Sequence, residues 1–134
     1  MTVAVATATI NPTVLNAIEN TQKSVWVRGS VSIGASPLTY TTGGITMSFT
    51  AILEQIKSDL VPTYVRVWSQ PAAASAAANQ YVYTFLPGTT LANGVLQIFT
   101  GAAAQTALTE LSAGAIPSGV SGDTIVFEGV FVRI

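Results

Sequence analysis

The side chains that could carry out acid–base chemistry are few, and their spacing shows no paired site. The chain has no histidine and no cysteine, which excludes imidazole bases, cysteine nucleophiles, thiolate metal sites and disulfides. A general base at neutral pH would have to be a carboxylate, a lysine or a tyrosine. A glycosidase needs two carboxylates that face each other across a cleft. The six carboxylates, Glu19, Glu54, Asp59, Glu110, Asp123 and Glu128, show no such pairing in the sequence, so we expect no catalytic residue.

Acidic and glycine-rich segments are the next candidates for metal or phosphate binding, and the sequence indicates that each of them is an ordinary turn. Asp123 stands in Ser-Gly-Asp-Thr before a predicted strand, where Asp commonly hydrogen-bonds its own backbone. No Asp-x-Asp-type run that could hold calcium is present. The glycines at residues 42–44 and 87–90 lack the Gly-Lys-Ser/Thr sequence of a phosphate-binding loop. We therefore expect no metal and no cofactor.

Aromatic side chains are the remaining groups with specific binding chemistry. Trp26 and Trp68 stand on the polar-alternating side of their predicted strands. Four tyrosines add hydroxyl-bearing rings: Tyr40, Tyr64, Tyr81 and Tyr83. Exposed Trp and Tyr are typical of sugar-binding sandwiches and of protein interfaces, whereas the same rings also fill ordinary cores. The sequence leaves three alternatives open for these aromatics: core, subunit interface or sugar platform.

The low charge content of the chain limits the kind of surface it can have. Charged residues make up 8% of the 134 residues, against about 25% in typical domains, and the net charge is -1. Weak electrostatic repulsion favours association. We therefore expect a surface that packs against copies of itself or against a lattice. A neutral secreted or surface domain is the alternative.

Partners of other chemical classes are not expected. The basic residues, Lys23, Arg28, Lys57, Arg66 and Arg133, are scattered singly, whereas a nucleic-acid binder needs a clustered basic face. No run of about 18 apolar residues predicts a transmembrane helix. The first residues lack the basic and apolar regions of a signal peptide. We expect synthesis in the cytoplasm and no nucleic acid, membrane or small-molecule substrate as partner.

Period-two alternation of apolar and polar residues predicts that most of the chain forms strands. The clearest runs are residues 24–34, 45–49, 63–69, 80–86, 95–100 and 123–134, with one amphipathic helix over 50–60. Asn93-Gly94 is the strongest tight-turn signal, and Gly129 indicates a bulge or a close backbone approach. The pattern predicts an all-β, antiparallel β-sandwich of seven to eight strands with one short helix. A jelly roll is one of the few architectures with that strand number.

The first 23 residues are expected to form an extended arm outside the sandwich domain, which spans residues 24–134. Alternation from Val3 and Val5 to Ile10 indicates a strand, and Val14, Leu15 and Ile18 indicate one or two helical turns. The final strand is apolar on both faces, so it is either central or covered by a neighbouring subunit. The interface candidates are Val3, Val5, Ile10, Trp26, Trp68, Tyr81, Tyr83, Val130 and Val132.

Three segments carry a resemblance to a known group of proteins. They are residues 43–49 (GGITMSF), 85–99 (FLPGTTLANGVLQIF) and 113–125 (AGAIPSGVSGDTI). The chain from residue 83 onward, with the first of these segments, resembles small virion structural proteins of tailed bacteriophages. The matching residues are turns and strands rather than a catalytic signature. The first twenty or so residues show no such resemblance.

The resemblance implies a jelly-roll or related sandwich attached to a phage head as a capsid decoration or cement protein. It implies the major capsid protein lattice as partner and the capsid surface of the virion as location, and it carries over no catalytic residue. A cyclic homo-oligomer, with a trimer favoured, suits a symmetric lattice. A carbohydrate- or receptor-binding module of a phage tail or fibre is the alternative. A small hydrolase is the third hypothesis.

Overall fold

Eleven strands form most of the computed structural model, which describes residues 2–10, 18–20, 24–35, 37–56, 60–70, 81–100 and 107–132. They are β1 (Ala6–Ile10), β2 (Ile18–Asn20), β3 (Ser24–Ile33), β4 (Thr39–Tyr40), β5 (Ile45–Ser48), β6 (Tyr64–Ser69), β7 (Tyr81–Leu86), β8 (Gly94–Thr100), β9 (Thr109–Glu110), β10 (Gly114–Ala115) and β11 (Ile125–Val132). A 3-10 turn, Thr50–Ile52, leads into helix α1 (Leu53–Ile56), and helix α2 (Ser118–Ser121) precedes the last strand. The predicted all-β class is confirmed. Residues 57–59 of the predicted helix lie outside the described residues.

One curled sheet contains nine of these described strands. Seven of them follow the order β6-β11-β3-β1-β5-β8-β7, while β2 pairs with β3 and β9 pairs with β8. β4 and β10 form a separate two-stranded sheet. The sheet is mixed, because β1 and β5 run parallel although the other pairs are antiparallel. The result is a sandwich-like half-barrel. The jelly-roll connectivity stays a prediction.

The N-terminal residues correct the predicted arm. β1 lies inside the sheet, antiparallel to β3 and parallel to β5. Its extended conformation agrees with the prediction, but the strand does not project. Ala4, Ala6 and Ala8 are buried, and their small side chains let the strand lie over the core between two neighbours. β2 likewise pairs with β3, so residues 2–10 and 18–20 belong to the same unit as the sandwich. Residues 11–17, with most of the predicted helical turns, lie outside the described residues.

Phe49 is the centre of the core enclosed by the curled sheet. Its fully buried ring makes edge-to-face contacts with Phe85, Phe127 and Phe131, at centroid distances of 5.6, 5.5 and 5.2 Å. Phe85 belongs to β7 at one end of the strand order, whereas Phe127 and Phe131 belong to β11 near the other end. Aromatic pairs of this geometry add about 0.5–1.5 kcal/mol each to the effect of burial. One side chain therefore joins both halves of the sheet.

Glycines permit close packing at two inward positions of the sheet. Gly29 of β3 lies between β1 and β11, and a Cβ atom there would collide with the carbonyl oxygen of Thr9. At Gly129 a Cβ atom would lie 2.9 Å from the ring of Phe131. The prediction of a bulge or a close backbone approach at Gly129 is corrected: the registers of β11 run through it without interruption, and the close neighbour is a core aromatic ring.

Replacement of Phe49 tests whether the core depends on this ring. We expect Phe49→Ala to lower the free energy of unfolding by about 3–5 kcal/mol, because the cavity removes contacts from three other rings. Urea unfolding followed by circular dichroism measures the change. Leu53→Ala is the control: Leu53 is 38% exposed, so its loss should cost far less. Equal losses in the two variants would contradict the central position of Phe49.

Candidate functional site

The outward side chains of β3, β6 and β11 form a continuous surface, called here the outer face. Register places these side chains in three rows across the strands. The rows are Tyr64–Val130–Trp26, Arg66–Glu128–Arg28 and Trp68–Val126–Ser30. Directly opposite residues on adjacent antiparallel strands point to the same side of the sheet. The outer face therefore carries two aromatic and aliphatic rows, separated by one charged row.

The charged row contains two weak interactions, one ion pair and one cation–π contact. Arg28 Nε lies 3.9 Å from Glu128 Oε2, an exposed ion pair of a kind that contributes about 0–1 kcal/mol. Arg66 instead stacks on Trp68, with its Cζ atom 4.8 Å from the ring centroid. An exposed cation–π contact contributes about 0.5–1 kcal/mol. No carboxylate among the described residues forms an ion pair with Arg66, so its charge can pair with an incoming group.

Three of the apolar side chains of the outer face are exposed to solvent. Trp26 is 41% exposed, Tyr64 is 49% exposed and Val132, at the end of β11, is 40% exposed. Val126 and Val130 between them are half-buried. Trp, Tyr and Arg are the residue types most enriched at the energetic centres of protein interfaces. The arrangement is chemically suited to binding an apolar protein surface.

The structure brings together some of the predicted interface residues and separates others. The outer face holds four of the candidates: Trp26, Trp68, Val130 and Val132. The exposed Trp26 and the half-buried Trp68 therefore lie outside the core. Val3 and Val5 are exposed beside β1, and Ile10 and Tyr81 are half-buried against the core. Tyr83 is 4% exposed, so it is corrected from an interface candidate to a core residue.

Six residues of the outer face were not in the list of interface candidates: Arg28, Ser30, Tyr64, Arg66, Val126 and Glu128. Tyr64 and Arg66 have the same alternation phase as Trp68, so the strand pattern over residues 63–69 places all three on one side. Val126 likewise has the phase of Val130 and Val132. The phase of each strand was therefore available in the sequence. The sequence did not show which strands are neighbours in the sheet.

A second feature is the gap between β6 and β7, called here the seam. β6 and β7 are the first and last strands in the hydrogen-bonded order of the sheet. Because the sheet curls, their Cα atoms approach within 8 Å of each other. The pairings between them show that the two strands run in opposite directions. No backbone ladder joins them in the described part of the chain. An open groove of about 210 Å³ follows the seam, lined by Tyr64, Val65, Arg66, Val67, Tyr83, Thr84 and Phe85.

Asp123 links the two sides of the seam. Its Oδ1 accepts a hydrogen bond of 2.7 Å from the Ser69 hydroxyl on β6, and its Oδ2 accepts one of 2.9 Å from the Tyr83 hydroxyl on β7. The prediction of a turn residue bonding its own backbone is corrected, since the carboxylate joins two strands. Burial, reinforced by the Asp123 carboxylate, raises the pKa of Tyr83 above the usual tyrosine value. Asp123 thus acts as a side-chain clamp where no backbone ladder is present.

Glu110 forms a similar contact with a buried tyrosine. The Tyr40 hydroxyl donates a hydrogen bond of 2.8 Å to Glu110 Oε1 and accepts one of 3.2 Å from the Ile98 N–H. The Gly43 N–H donates to the same carboxylate oxygen at 2.6 Å. Burial is the main reason that the pKa of Tyr40 is raised to about 12. Both tyrosine–carboxylate contacts connect distant segments of the chain.

Comparisons with known proteins add no relative, because no protein-family model, curated protein or solved structure matches this chain. The resemblance to phage virion proteins therefore stays a prediction. Among the described residues, no group of three or more acidic side chains is placed to hold a metal ion. No helix in the described part is long and apolar enough to cross a membrane.

Removal of the Asp123 carboxylate tests the clamp. We expect Asp123→Ala to destabilise the fold by about 1–3 kcal/mol, because the buried Tyr83 hydroxyl loses its acceptor. Chemical unfolding of Asp123→Ala, Tyr83→Phe and the double variant measures the coupling between the two groups. The double variant should lose less than the sum of the single losses. Strict additivity would contradict an energetic link between Asp123 and Tyr83.

Alkaline pH tests the buried tyrosine hydroxyls. The pKa of Tyr40 is about 12 in the folded chain and near 10 when unfolded, so the unfolded state releases its proton first. Its contribution to stability is therefore complete below pH 10 and is lost as the pH rises towards 12. Unfolding midpoints across this range should fall less steeply for Tyr40→Phe than for the unaltered chain. Parallel curves would contradict the raised pKa.

Proposed function

We propose that this chain is a structural virion protein, a decoration or cement subunit that binds the outside of a phage capsid through its outer face. The observation that carries the proposal is the outer face itself, with Trp26, Tyr64 and Val132 each at least 40% exposed in a chain with 8% charged residues. Water contact with such a surface is unfavourable, and a protein neighbour would relieve it. The resemblance of residues 43–49, 85–99 and 113–125 to virion proteins supports the same role.

The proposed partners are the major capsid protein lattice and further copies of the chain, with a trimer favoured. A cement subunit joins neighbouring shell proteins and resists pressure from within. Many copies on a symmetric lattice give strong overall attachment even when each contact is weak. The proposed location is the capsid surface, and the proposed activity is binding rather than catalysis.

A carbohydrate- or receptor-binding module of a phage tail or fibre is the second candidate, and one specific observation favours it. Trp26 and Trp68 stand on the outer face of a sheet, two strands apart, with the Arg–Glu–Arg row between them. Tryptophan rings beside polar groups are suited to sugars, since the rings cover apolar ring faces and the polar groups take up hydroxyls. The two candidates use the same surface for different ligands.

The binding of an outer-face variant to phage shells distinguishes the cement function from the carbohydrate- or receptor-binding function. We expect the unaltered chain to co-sediment with tailed-phage shells lacking their decoration protein, and Trp26→Ala to bind about 30-fold more weakly, as expected for a central interface tryptophan. Leu108→Ala is the matched control, because Leu108 is 54% exposed but stands beside β9, which pairs with β8 and not with a strand of the outer face.

Equal binding by Trp26→Ala and the unaltered chain would contradict docking through the outer face. A chain that never binds shells but binds immobilised glycans, and loses that binding in Trp26→Ala, would establish the second candidate instead. Electron microscopy of decorated shells should place the density of the chain over junctions of the lattice.

A further inference from the structure

The direction of the backbone groups on β6 follows from one hydrogen bond at its end. Gln70 N–H donates to the Thr124 carbonyl at 2.7 Å, continuing the register in which Trp68 opposes Val126. In an antiparallel ladder, residues alternate between bonding the partner strand and pointing away from it. The backbone groups of Tyr64, Arg66 and Trp68 therefore face β11. Those of Val65, Val67 and Ser69 face the seam.

The same argument applies to β7 through its neighbour β8. Ile98 donates its N–H to the Tyr40 hydroxyl at 3.2 Å and accepts from Leu111 N–H at 2.8 Å, so its backbone groups point away from β7. Ile98 opposes Tyr83, which consequently also points away from β8. Tyr81, Tyr83 and Phe85 therefore direct their N–H and C=O groups into the seam.

Each side of the seam thus presents the N–H and C=O groups of three consecutive alternate residues. Within the described residues, no strand ladder pairs these groups across the seam. Unpaired groups of this kind on a strand edge are a template for another strand. The side chains of the same residues point inward, so only backbone atoms line the two edges of the gap.

We propose that the seam binds an extended polypeptide segment of a partner protein, which adds as a β-strand to one or both edges. Backbone pairing supplies the affinity, and side chains at alternate positions supply the specificity. The inference goes beyond the proposed function, since it rests on the seam and holds whether or not the outer face binds a shell.

The residues around the seam define the chemistry of the segment. On the outer side an added strand would have Arg66 and Trp68 on one flank, with Val82 and Leu86, both 43% exposed, on the other. Apolar side chains fit between these flanks, with one carboxylate opposite Arg66, which forms no ion pair with a described carboxylate. On the inner side it would meet the half-buried Val65 and Phe85, which favour a second set of apolar side chains.

The seam must widen to admit a strand between its edges. Adjacent strands are about 4.7–4.9 Å apart, so a strand between two others needs roughly 9–10 Å. The edges approach within 8 Å, and the Asp123 clamp joins them at Ser69 and Tyr83. The opposite end of the seam, beside Pro62 and Pro87, is open as a groove of about 200 Å³. We therefore infer that the segment enters between these prolines.

A synthetic peptide of about ten residues, alternating valine and threonine with one central glutamate, is the probe. Amide hydrogen exchange by NMR on the full chain is the measurement. The peptide should slow exchange of the Val65, Val67, Tyr83 and Phe85 amides by about tenfold or more, because these N–H groups gain acceptors. Unchanged exchange at all four amides at saturating peptide would overturn the proposal. So would slowing that rises with protein concentration alone, since it assigns the edges to a second copy.

Two sets of variants keep the test specific. Val65→Pro removes one seam-facing N–H without touching the ladder to β11 and should abolish binding, whereas Val65→Ala, which keeps that N–H, should retain it. Arg66→Glu should reverse the preference, binding a peptide with central lysine better than the glutamate peptide. This charge exchange remains informative where Val65→Pro fails to fold. Equal binding of both peptides by both chains would remove Arg66 from the site.

Discussion

The sheet must cover its own apolar face, and the rest of the structure depends on this constraint. The main strands are buried on one side only, and α1 and α2, the helices in the described part of the chain, are single turns. The sheet therefore curls until its two halves meet over Phe49, which contacts β7 from one half and β11 from the other. Curling leaves the opposite face of β3, β6 and β11 in solvent and brings the two terminal edges close together.

The low ionic content of the chain takes on a more specific meaning in this fold. Asp123 and Glu110 accept hydrogen bonds from tyrosines with raised pKa values, so these carboxylates connect segments of the structure. On the outer face, Glu128 is paired with Arg28. Apart from that pair, Arg66 is the one charged side chain in the three rows of this face. This distribution of charge supports a surface that functions when covered.

The outer face and the seam share strand β6, and this connects the two proposed binding sites. Arg66 and Trp68 belong to the outer face through their register with β11, and they also border the groove beside β7. A partner lying on the outer face could therefore place an extended segment in the seam. Such a combination would join a broad apolar contact to a directional backbone contact, and multiple attachments of this kind strengthen one another.

The sequence alone determined the class of the fold and the phase of its main strands. Period-two alternation put Val25 and Val27 on one face of their strand and Trp26 on the other, because side-chain direction in a strand depends only on local backbone geometry. The low charge and the absence of histidine and cysteine were equally plain from composition. Tertiary structure decided which strands are neighbours. It placed β1 inside the sheet rather than in an arm, set Trp26 and Tyr64 in one row, and brought Asp123 to Tyr83 across 40 residues. Local pattern cannot supply these pairings, because hydrogen bonds between strands are made by backbone groups that are common to nearly every residue.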